Sequence, residues 1–155
     1  MTIEEDIAFL QRIPTLRELG EAALRILAIG VESRFLATGE VLFTSGEPAD
    51  GAYIVLEGSF NLKPGWPRAR DVVAGPGTLL GESALLVETT RPATATARES
   101  SRVMRISRSM FLRMLDGYPD AAQRLRQLIA ARSDQWAREM QNVHSLLAGD
   151  GKKEE

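Results

Sequence analysis

A stripe of apolar residues at helical spacing runs through residues 3–12 and again through residues 16–28. The two stretches contribute Ile3, Ile7, Leu10, Leu16, Leu19, Ala23, Leu24 and Leu27. Apolar positions three or four residues apart lie on one face of a helix. Pro14 separates the two stretches, at a point where a helix must stop or restart. The pattern therefore predicts two helices at the start of the chain.

From Gly30 to Ile106 the pattern changes to short runs of β-branched and apolar residues. The runs are VESRFL, EVLFT, GAYIVLE, SFNLK, DVVA, TLL, ATATA and RVMRI. Turn signals lie between them at Thr38-Gly39, Ser45-Gly46, Asp50-Gly51, Glu57-Gly58, Pro64-Gly65 and Gly75-Pro76-Gly77. Short strands that recur about every 8 to 12 residues are typical of an antiparallel barrel or jelly roll. We therefore predict a single β-core in this region.

Helical spacing returns after Ile106. Ser107 is a good N-cap for a short helix that ends at Gly117, and Pro119 is a good first residue for the next helix. The apolar face of the short helix consists of Met110, Phe111, Met114 and Leu115. The last helix is predicted to run to about Leu147, with apolar positions at Ala122, Leu125, Ile129, Trp136, Met140, Val143 and Leu147. Arg132 falls within this stripe.

Together the elements predict an α+β fold. It is an antiparallel β jelly-roll barrel flanked by N-terminal helices and two C-terminal helices. We expect one domain over residues 1–148, because a chain of 155 residues suits one core of ordinary size. It divides into N-terminal helices (1–29), the β-roll (30–106) and the closing helices (107–148), followed by a disordered polar tail (149–155).

Composition excludes several classes of function. The chain has no cysteine and one histidine, His144, which excludes disulfides and thiolate chemistry and makes a histidine-based metal centre or a Ser-His-Asp triad very unfavourable. We therefore expect neither a bound metal nor enzymatic activity. The start of the chain is acidic, without the basic beginning of a secretory signal, and no apolar run is long enough to span a membrane. These features favour a cytoplasmic protein.

The candidate chemistry lies in residues 80–94, LGESALLVETTRPAT. Here the strand pattern is interrupted by a short helical piece at about residues 83–87, directly after Gly81. Glycine lets a ligand approach the backbone closely, and the free amides at a helix start bind anions. Arg91, nine residues after Glu82, carries a planar fork that suits a phosphate, while the Glu82 carboxylate can accept a sugar hydroxyl. These groups describe a nucleotide site for one compact anion.

This segment resembles the phosphate-binding cassette of the cyclic nucleotide-binding domains, approximately F-G-E-x-A-L-L, four variable residues and R-x-A-T. The matching positions are Gly81, Glu82, Ala84, Leu85, Leu86, Arg91, Ala93 and Thr94. The resemblance continues upstream through FLATGEVLFTSGEPADGAYIVLEG and downstream into the two closing helices. It includes the catabolite activator, kinase regulatory subunit and cyclic-nucleotide-gated channel types. It implies a stand-alone, bacterial-type member of this family.

The resemblance implies a role for each matched residue of the site. Arg91 would pair with the exocyclic oxygens of the cyclic phosphate, and Glu82 would accept the ribose 2′-hydroxyl. The backbone of Gly81 and the amides of Ser83 and Ala84 would complete the phosphate cradle. The alternative for Arg91 and Glu82 is a salt bridge that holds one hairpin together.

The chain departs from the family pattern at two positions. Leu80 replaces an aromatic residue, a change that a core tolerates. Pro92 stands where some relatives carry a Ser or Thr that contacts guanine, and proline offers neither a hydroxyl nor an amide hydrogen. The expected ligand is therefore cAMP, with cGMP weaker. Thr94 could touch a base edge, although a plain strand threonine fits the pattern equally well.

The last helix carries two candidate base caps. In this family it often folds over the pocket, so that Arg132 or Trp136 would stack on the purine. Packing in the core or in a dimer is the alternative for Trp136. Residues 129, 136 and 143 keep a seven-residue interval, so the same stripe also suits a homodimer seam or contact with an effector protein.

The predicted function is a cyclic-nucleotide sensor without chemistry of its own, which relays occupancy through its C-terminal helices. A regulatory-domain fragment of a larger channel or transcription regulator is the first alternative, and a degenerate domain for another ligand is the second. DNA binding by this chain alone is not expected, because a helix-turn-helix would have to follow the last helix.

Overall fold

The computed structural model describes residues 2–131, and within them ten strands build a β-roll. The strands are β1 (Glu32–Leu36), β2 (Val41–Phe43), β3 (Pro48–Ala49), β4 (Gly51–Glu57), β5 (Phe60–Pro64), β6 (Val72–Ala74), β7 (Leu79–Leu80), β8 (Thr89–Thr90), β9 (Ala93–Ala97) and β10 (Ser101–Ser107). Eight of them correspond to the eight predicted runs, and the two-residue strands β3 and β8 are additional.

The strands form two four-stranded antiparallel sheets and one two-stranded ladder. The sheet orders are β1-β10-β4-β7 and β2-β9-β5-β6, and β3 pairs with β8. Apart from β5 and β6, the neighbours along a sheet are not consecutive along the chain; β10, for example, lies between β1 and β4. This crossed-over antiparallel arrangement confirms the predicted jelly roll.

Three helices precede the roll: α1 (Ile3–Leu10), α2 (Pro14–Arg17) and α3 (Glu21–Gly30). The helix predicted over residues 16–28 is therefore wrong as a single element. Gly20, with a φ of +87°, breaks it into α2 and α3, because that left-handed backbone cannot continue a helix. Pro14 is the first residue of α2, where its missing N–H costs nothing.

The C-terminal boundaries agree with the sequence prediction. The Ser107 hydroxyl accepts a 3.2 Å hydrogen bond from the Met110 amide and caps α4 (Arg108–Gly117). A further helix begins at Pro119 and continues to residue 131; we call residues 119–131 α5. The predicted positions beyond residue 131 in the last helix, and the tail, lie outside the described residues.

Two hydrophobic clusters meet at β4, whose first six residues are buried, on both faces of the strand. Successive side chains of a strand point to opposite faces, so a strand covered on both sides shows no apolar–polar alternation. Ile54 belongs to the cluster with the helices, and Val55 belongs to the cluster inside the roll. The pairing of β4 with β7 sets Tyr53 opposite Leu80 and so fixes the position at which the segment 80–94 begins.

No helix within residues 2–131 is long and apolar enough to cross a membrane. In the same part of the chain, the His, Cys, Asp and Glu side chains form no group of three or more that could hold a metal ion.

Candidate ligand-binding site

Residues 80–94 leave the sheet through a tight turn. Leu80 is buried, as expected for its core position, and Gly81 follows with a φ of +82°. Glu82–Leu85 then form one turn of 3-10 helix, anchored in the core by the buried side chains of Ala84 and Leu85. The left-handed backbone at Gly81 is what allows the chain to change direction here.

Gly81 also leaves room for a close neighbour. A Cβ at this position would overlap Nη1 of Arg91 and would stand 3.3 Å from the carbonyl oxygen of Gly51. The absence of a side chain at residue 81 therefore gives the Arg91 guanidinium its space.

The backbone of Arg91 is held on both sides. Its amide donates to the Glu47 carbonyl at 2.9 Å, and its carbonyl accepts from the Gly46 amide at 2.8 Å. These bonds extend the short β3–β8 ladder and direct the Arg91 side chain inward, where only 4% of the residue is exposed. The two short strands thus position the residue that sequence analysis placed at the centre of the site.

The guanidinium lies over two aromatic rings, at 4.6 Å from the centroid of Phe43 and 5.5 Å from that of Tyr53. Its Nη1 is buried and has no hydrogen-bond partner within the described residues. Burial lowers the pKa of Arg91 because desolvation disfavours the charged form, and the nearby Tyr53, Asp50 and Glu47 offset part of this effect. Arginine nevertheless stays charged in proteins. The site therefore presents a buried cation with an unused donor.

Glu82 has a different environment. Its Oε1 accepts a 2.9 Å hydrogen bond from the hydroxyl of Thr15, in the N-terminal helix α2. Arg91 forms no ion pair with Glu82 or with any other carboxylate among residues 2–131. The salt-bridge alternative for Glu82 and Arg91 is therefore not what the structure shows.

A cavity of about 530 Å³ opens beside these residues. Its lining consists of Ala49, Gly81, Glu82, Ser83, Ala84, Leu86, Val87, Thr89, Thr90, Arg91, Pro92 and Ile129. Six of the residues predicted for the site lie in this wall. Arg91 and Glu82 are the two charged members of the described lining, so the cavity offers one cation, one carboxylate and mainly small or apolar neighbours.

Two predicted ligand contacts of the cassette involve groups that have partners within the protein. The Ala84 amide donates to the Gly81 carbonyl at 3.0 Å, so its donation to a ligand stays a prediction. The Thr94 hydroxyl accepts from the Ser45 amide at 3.0 Å, and Thr94 is not part of the cavity lining. Its contact with a base also stays a prediction. The candidate caps Arg132 and Trp136 lie outside the described residues.

Three residues near the site were not assigned a role from the sequence. Thr15 reaches Glu82, and Ile129 of α5 lines the cavity. Nη1 of Arg108 donates to the carbonyls of Ala49 (2.9 Å), Ala84 (3.3 Å) and Val87 (3.0 Å), and all three acceptors belong to cavity-lining residues. The sequence does place Ile129 in the apolar stripe of the last helix. No sequence pattern indicates the role of Arg108, because its partners are backbone atoms of distant segments.

A cavity in a jelly roll, beside a buried arginine backed by two aromatic rings, is typical of modules that bind small molecules. The chain belongs to the cyclic nucleotide-binding domain family, whose model matches residues 33–118. The predicted family and the roll are both confirmed.

The relatives place this domain in different proteins. The chain is 28% identical to a cyclic nucleotide-gated potassium channel of Mesorhizobium japonicum over 120 residues, which are 77% of this chain and 33% of the channel. It thus spans about a third of that relative's length. A cyclic nucleotide-binding-like protein from Brucella abortus has 38% identity and a TM-score of 0.65, covering 72% of this chain and 98% of that one. The N-terminal domain of a transcriptional regulator from Streptomyces coelicolor has 29% identity and a TM-score of 0.77, covering 85% and 94%.

Proposed function

We propose that this protein binds cAMP in the cavity beside Arg91 and acts as a regulatory sensor without catalytic chemistry. The observation that carries the proposal is the buried Arg91 guanidinium at the cavity wall, whose Nη1 has no hydrogen-bond partner among residues 2–131. A buried charge without a partner is costly, and an anion that reaches it gains a charge-assisted hydrogen bond in a poorly solvated place. Membership of the cyclic nucleotide-binding family supports the choice of anion.

The charges of the cavity favour a ligand with a single negative charge. Among the described lining residues, Arg91 is the one cation. A cyclic phosphodiester carries one negative charge and matches it, whereas a nucleoside triphosphate would bring several charges to one guanidinium. The cavity volume of about 530 Å³ lies within the roughly 300–1,000 Å³ typical of small-molecule sites.

Glu82 is the residue that we propose accepts a hydroxyl of the ligand's ribose. It lies in the same wall as Arg91, directly after Gly81, and its carboxylate is an acceptor for hydroxyl groups. A ligand that places its phosphate on Arg91 and its sugar hydroxyl on Glu82 uses both charged groups. An anion without a sugar uses only one.

We propose that the site prefers adenine over guanine because of Pro92. This residue is exposed at the cavity and has no donor to offer a guanine edge. Thr94, the other candidate for a base contact, has its hydroxyl on the Ser45 amide. Both facts support a preference for cAMP, or weak discrimination, over a preference for cGMP.

The regulatory part of the proposal rests on α5. Ile129 lines the cavity and also packs against the core of the helices, so a ligand in the cavity would touch α5. We expect a cytoplasmic protein whose C-terminal helix contacts a second copy or an effector. The second candidate, the sensing part of a longer channel or regulator, is favoured by the 33% of the channel that the chain matches.

Calorimetric titration of the purified chain with cAMP, cGMP and ATP tests the function. We expect cAMP to bind more tightly than cGMP and ATP not to compete. Arg91→Ala should weaken cAMP about 10- to 150-fold, the range for a hydrogen bond to a charged group. Arg70→Ala, which removes the same charge from an exposed position, is the matched control and should leave affinity unchanged. Equal binding by the Arg91 variant and the parent would refute the assignment.

A further inference from the structure

We propose that Thr15 is a positioning residue for the ligand's 2′-hydroxyl, because its hydroxyl fixes the orientation of the Glu82 carboxylate. The inference rests on the proposed function, in which Glu82 accepts that hydroxyl. Thr15 acts through Glu82 and is assigned no contact with the ligand.

The contact joins parts of the chain that are 67 residues apart, at 2.9 Å between Thr15 Oγ1 and Glu82 Oε1. Thr15 is only 4% exposed. Within residues 2–131 four polar or charged residues are buried: Thr15, Ser59, Arg91 and Ser101. The two serines bind each other, with the Ser59 amide donating to the Ser101 hydroxyl at 3.2 Å. Of the remaining two, Arg91 lines the cavity and Thr15 donates to Glu82, which lines it too.

Thr15 is held by a rigid support. It follows Pro14, whose ring fixes the first turn of α2, and precedes Leu16, which is completely buried. Arg124 of α5 donates to the carbonyls of Glu18 (2.7 Å) and Leu19 (3.1 Å), which ties the end of α2 to the C-terminal side of the domain. The backbone that carries the Thr15 side chain is therefore held in place on both sides of the residue.

The chemistry of the two groups makes Thr15 an aid to binding and not a competitor. A threonine hydroxyl donates one hydrogen, whereas a carboxylate has two oxygens with about four acceptor sites. The donation from Thr15 therefore occupies one of these acceptor sites. A free glutamate side chain has several rotatable bonds, and ordering it on binding costs affinity. A carboxylate that is already ordered by Thr15 avoids that cost.

The test compares two variants and two ligands by calorimetry. Thr15→Val keeps the shape and removes the donor, and Thr15→Ser keeps the donor. The ligands are cAMP and 2′-deoxy-cAMP, which lacks the hydroxyl that Glu82 would accept. We expect Thr15→Val to weaken cAMP about 3- to 10-fold, the size of one ordinary hydrogen bond, and to leave 2′-deoxy-cAMP unchanged. Thr15→Ser should retain the parent's ratio of the two affinities.

Two results would overturn the inference alone: an equal loss for both ligands in Thr15→Val, which marks a merely structural threonine, or no loss for either. A parent protein that does not bind cAMP would refute the proposed function as well. Thermal unfolding confirms that each variant is folded. Should valine prevent folding, Thr15→Ala, which adds no bulk, provides the same comparison of ligands.

Discussion

The Arg91 guanidinium fills the space beside Gly81 that a side chain at residue 81 would need. The pair lies at the wall of the cavity, with the guanidinium over Phe43 and Tyr53 and the glycine at the start of the 3-10 helix. The glycine thus serves two purposes that can be separated by experiment. It permits a positive φ, and it makes room for the cation that would meet the phosphate.

Gly81→Ala should remove ligand binding and destabilise the fold, whereas Gly77→Ala should only destabilise it. Both glycines have a φ near +85°, at +82° and +88°, where a Cβ costs about 1–2 kcal/mol. A Cβ at Gly77 meets nothing within 4 Å, but one at Gly81 meets Arg91. Chemical denaturation and cAMP titration of the two variants separate strain from displacement of the guanidinium. Equal binding by both would show that the close approach is irrelevant.

Arg91→Met should weaken cAMP binding as much as Arg91→Ala does, while the unliganded protein is as stable as the parent or more stable by about 1–4 kcal/mol. Replacing a buried charged group by an apolar chain of similar length is often neutral or stabilising, and the methionine can still pack on Phe43. Arg108→Met is the contrasting variant. It deprives three backbone carbonyls of their donor and should lose about 1–3 kcal/mol. Urea unfolding curves without ligand measure both effects.

A large loss of stability in Arg91→Met, comparable with that in Arg108→Met, would mean that Arg91 is a structural residue. Its buried charge would then stabilise the folded protein, and the proposed anion site would lose its main support.

Pro92→Thr should improve cGMP relative to cAMP by about 3- to 10-fold, because it supplies one hydroxyl to the base edge. Thr94→Val is the control. Its hydroxyl binds the Ser45 amide, so its removal should lower stability without changing the ratio of affinities. Competition binding with both nucleotides gives that ratio directly. A parent protein that strongly prefers cGMP, or a changed ratio in Thr94→Val, would show that another residue contacts the base.

Residues 119–131 should become protected from hydrogen exchange when cAMP is added, because Ile129 of this segment lines the cavity. Strand β1, which contributes nothing to the lining, should keep its exchange rates. Mass spectrometry of peptides from both segments makes the comparison. Protection confined to residues 80–94 would mean that binding does not reach α5, and the proposed relay would fail.

Local signals in the sequence predicted most of the fold. Ser107, Gly117 and Pro119 marked the helix boundaries correctly, because caps and breakers act within a few residues. The break at Gly20 was missed since the apolar stripe continues on both sides of it. The strands β3 and β8 have two residues each, too few to show a period, yet they position Arg91.

The candidate site was predictable where one segment carries it. Gly81, Glu82 and Arg91 lie within eleven consecutive residues, and the structure places all three in one cavity wall. Thr15 and Arg108 were not predictable as parts of the site. Their partners lie far away along the chain or are backbone carbonyls, which no pattern of side chains reveals. Long-range contacts of this kind become visible only in the folded molecule.

A crystal structure of the protein with cAMP is the most direct test of the central claim. We predict that an exocyclic oxygen of the cyclic phosphate lies within hydrogen-bond distance of Arg91 Nη1, about 2.7–2.9 Å for a charge-assisted bond. The ribose 2′-hydroxyl of the same molecule should meet the Glu82 carboxylate. A nucleotide bound elsewhere, or a phosphate that leaves Nη1 of Arg91 without a partner, would contradict the account.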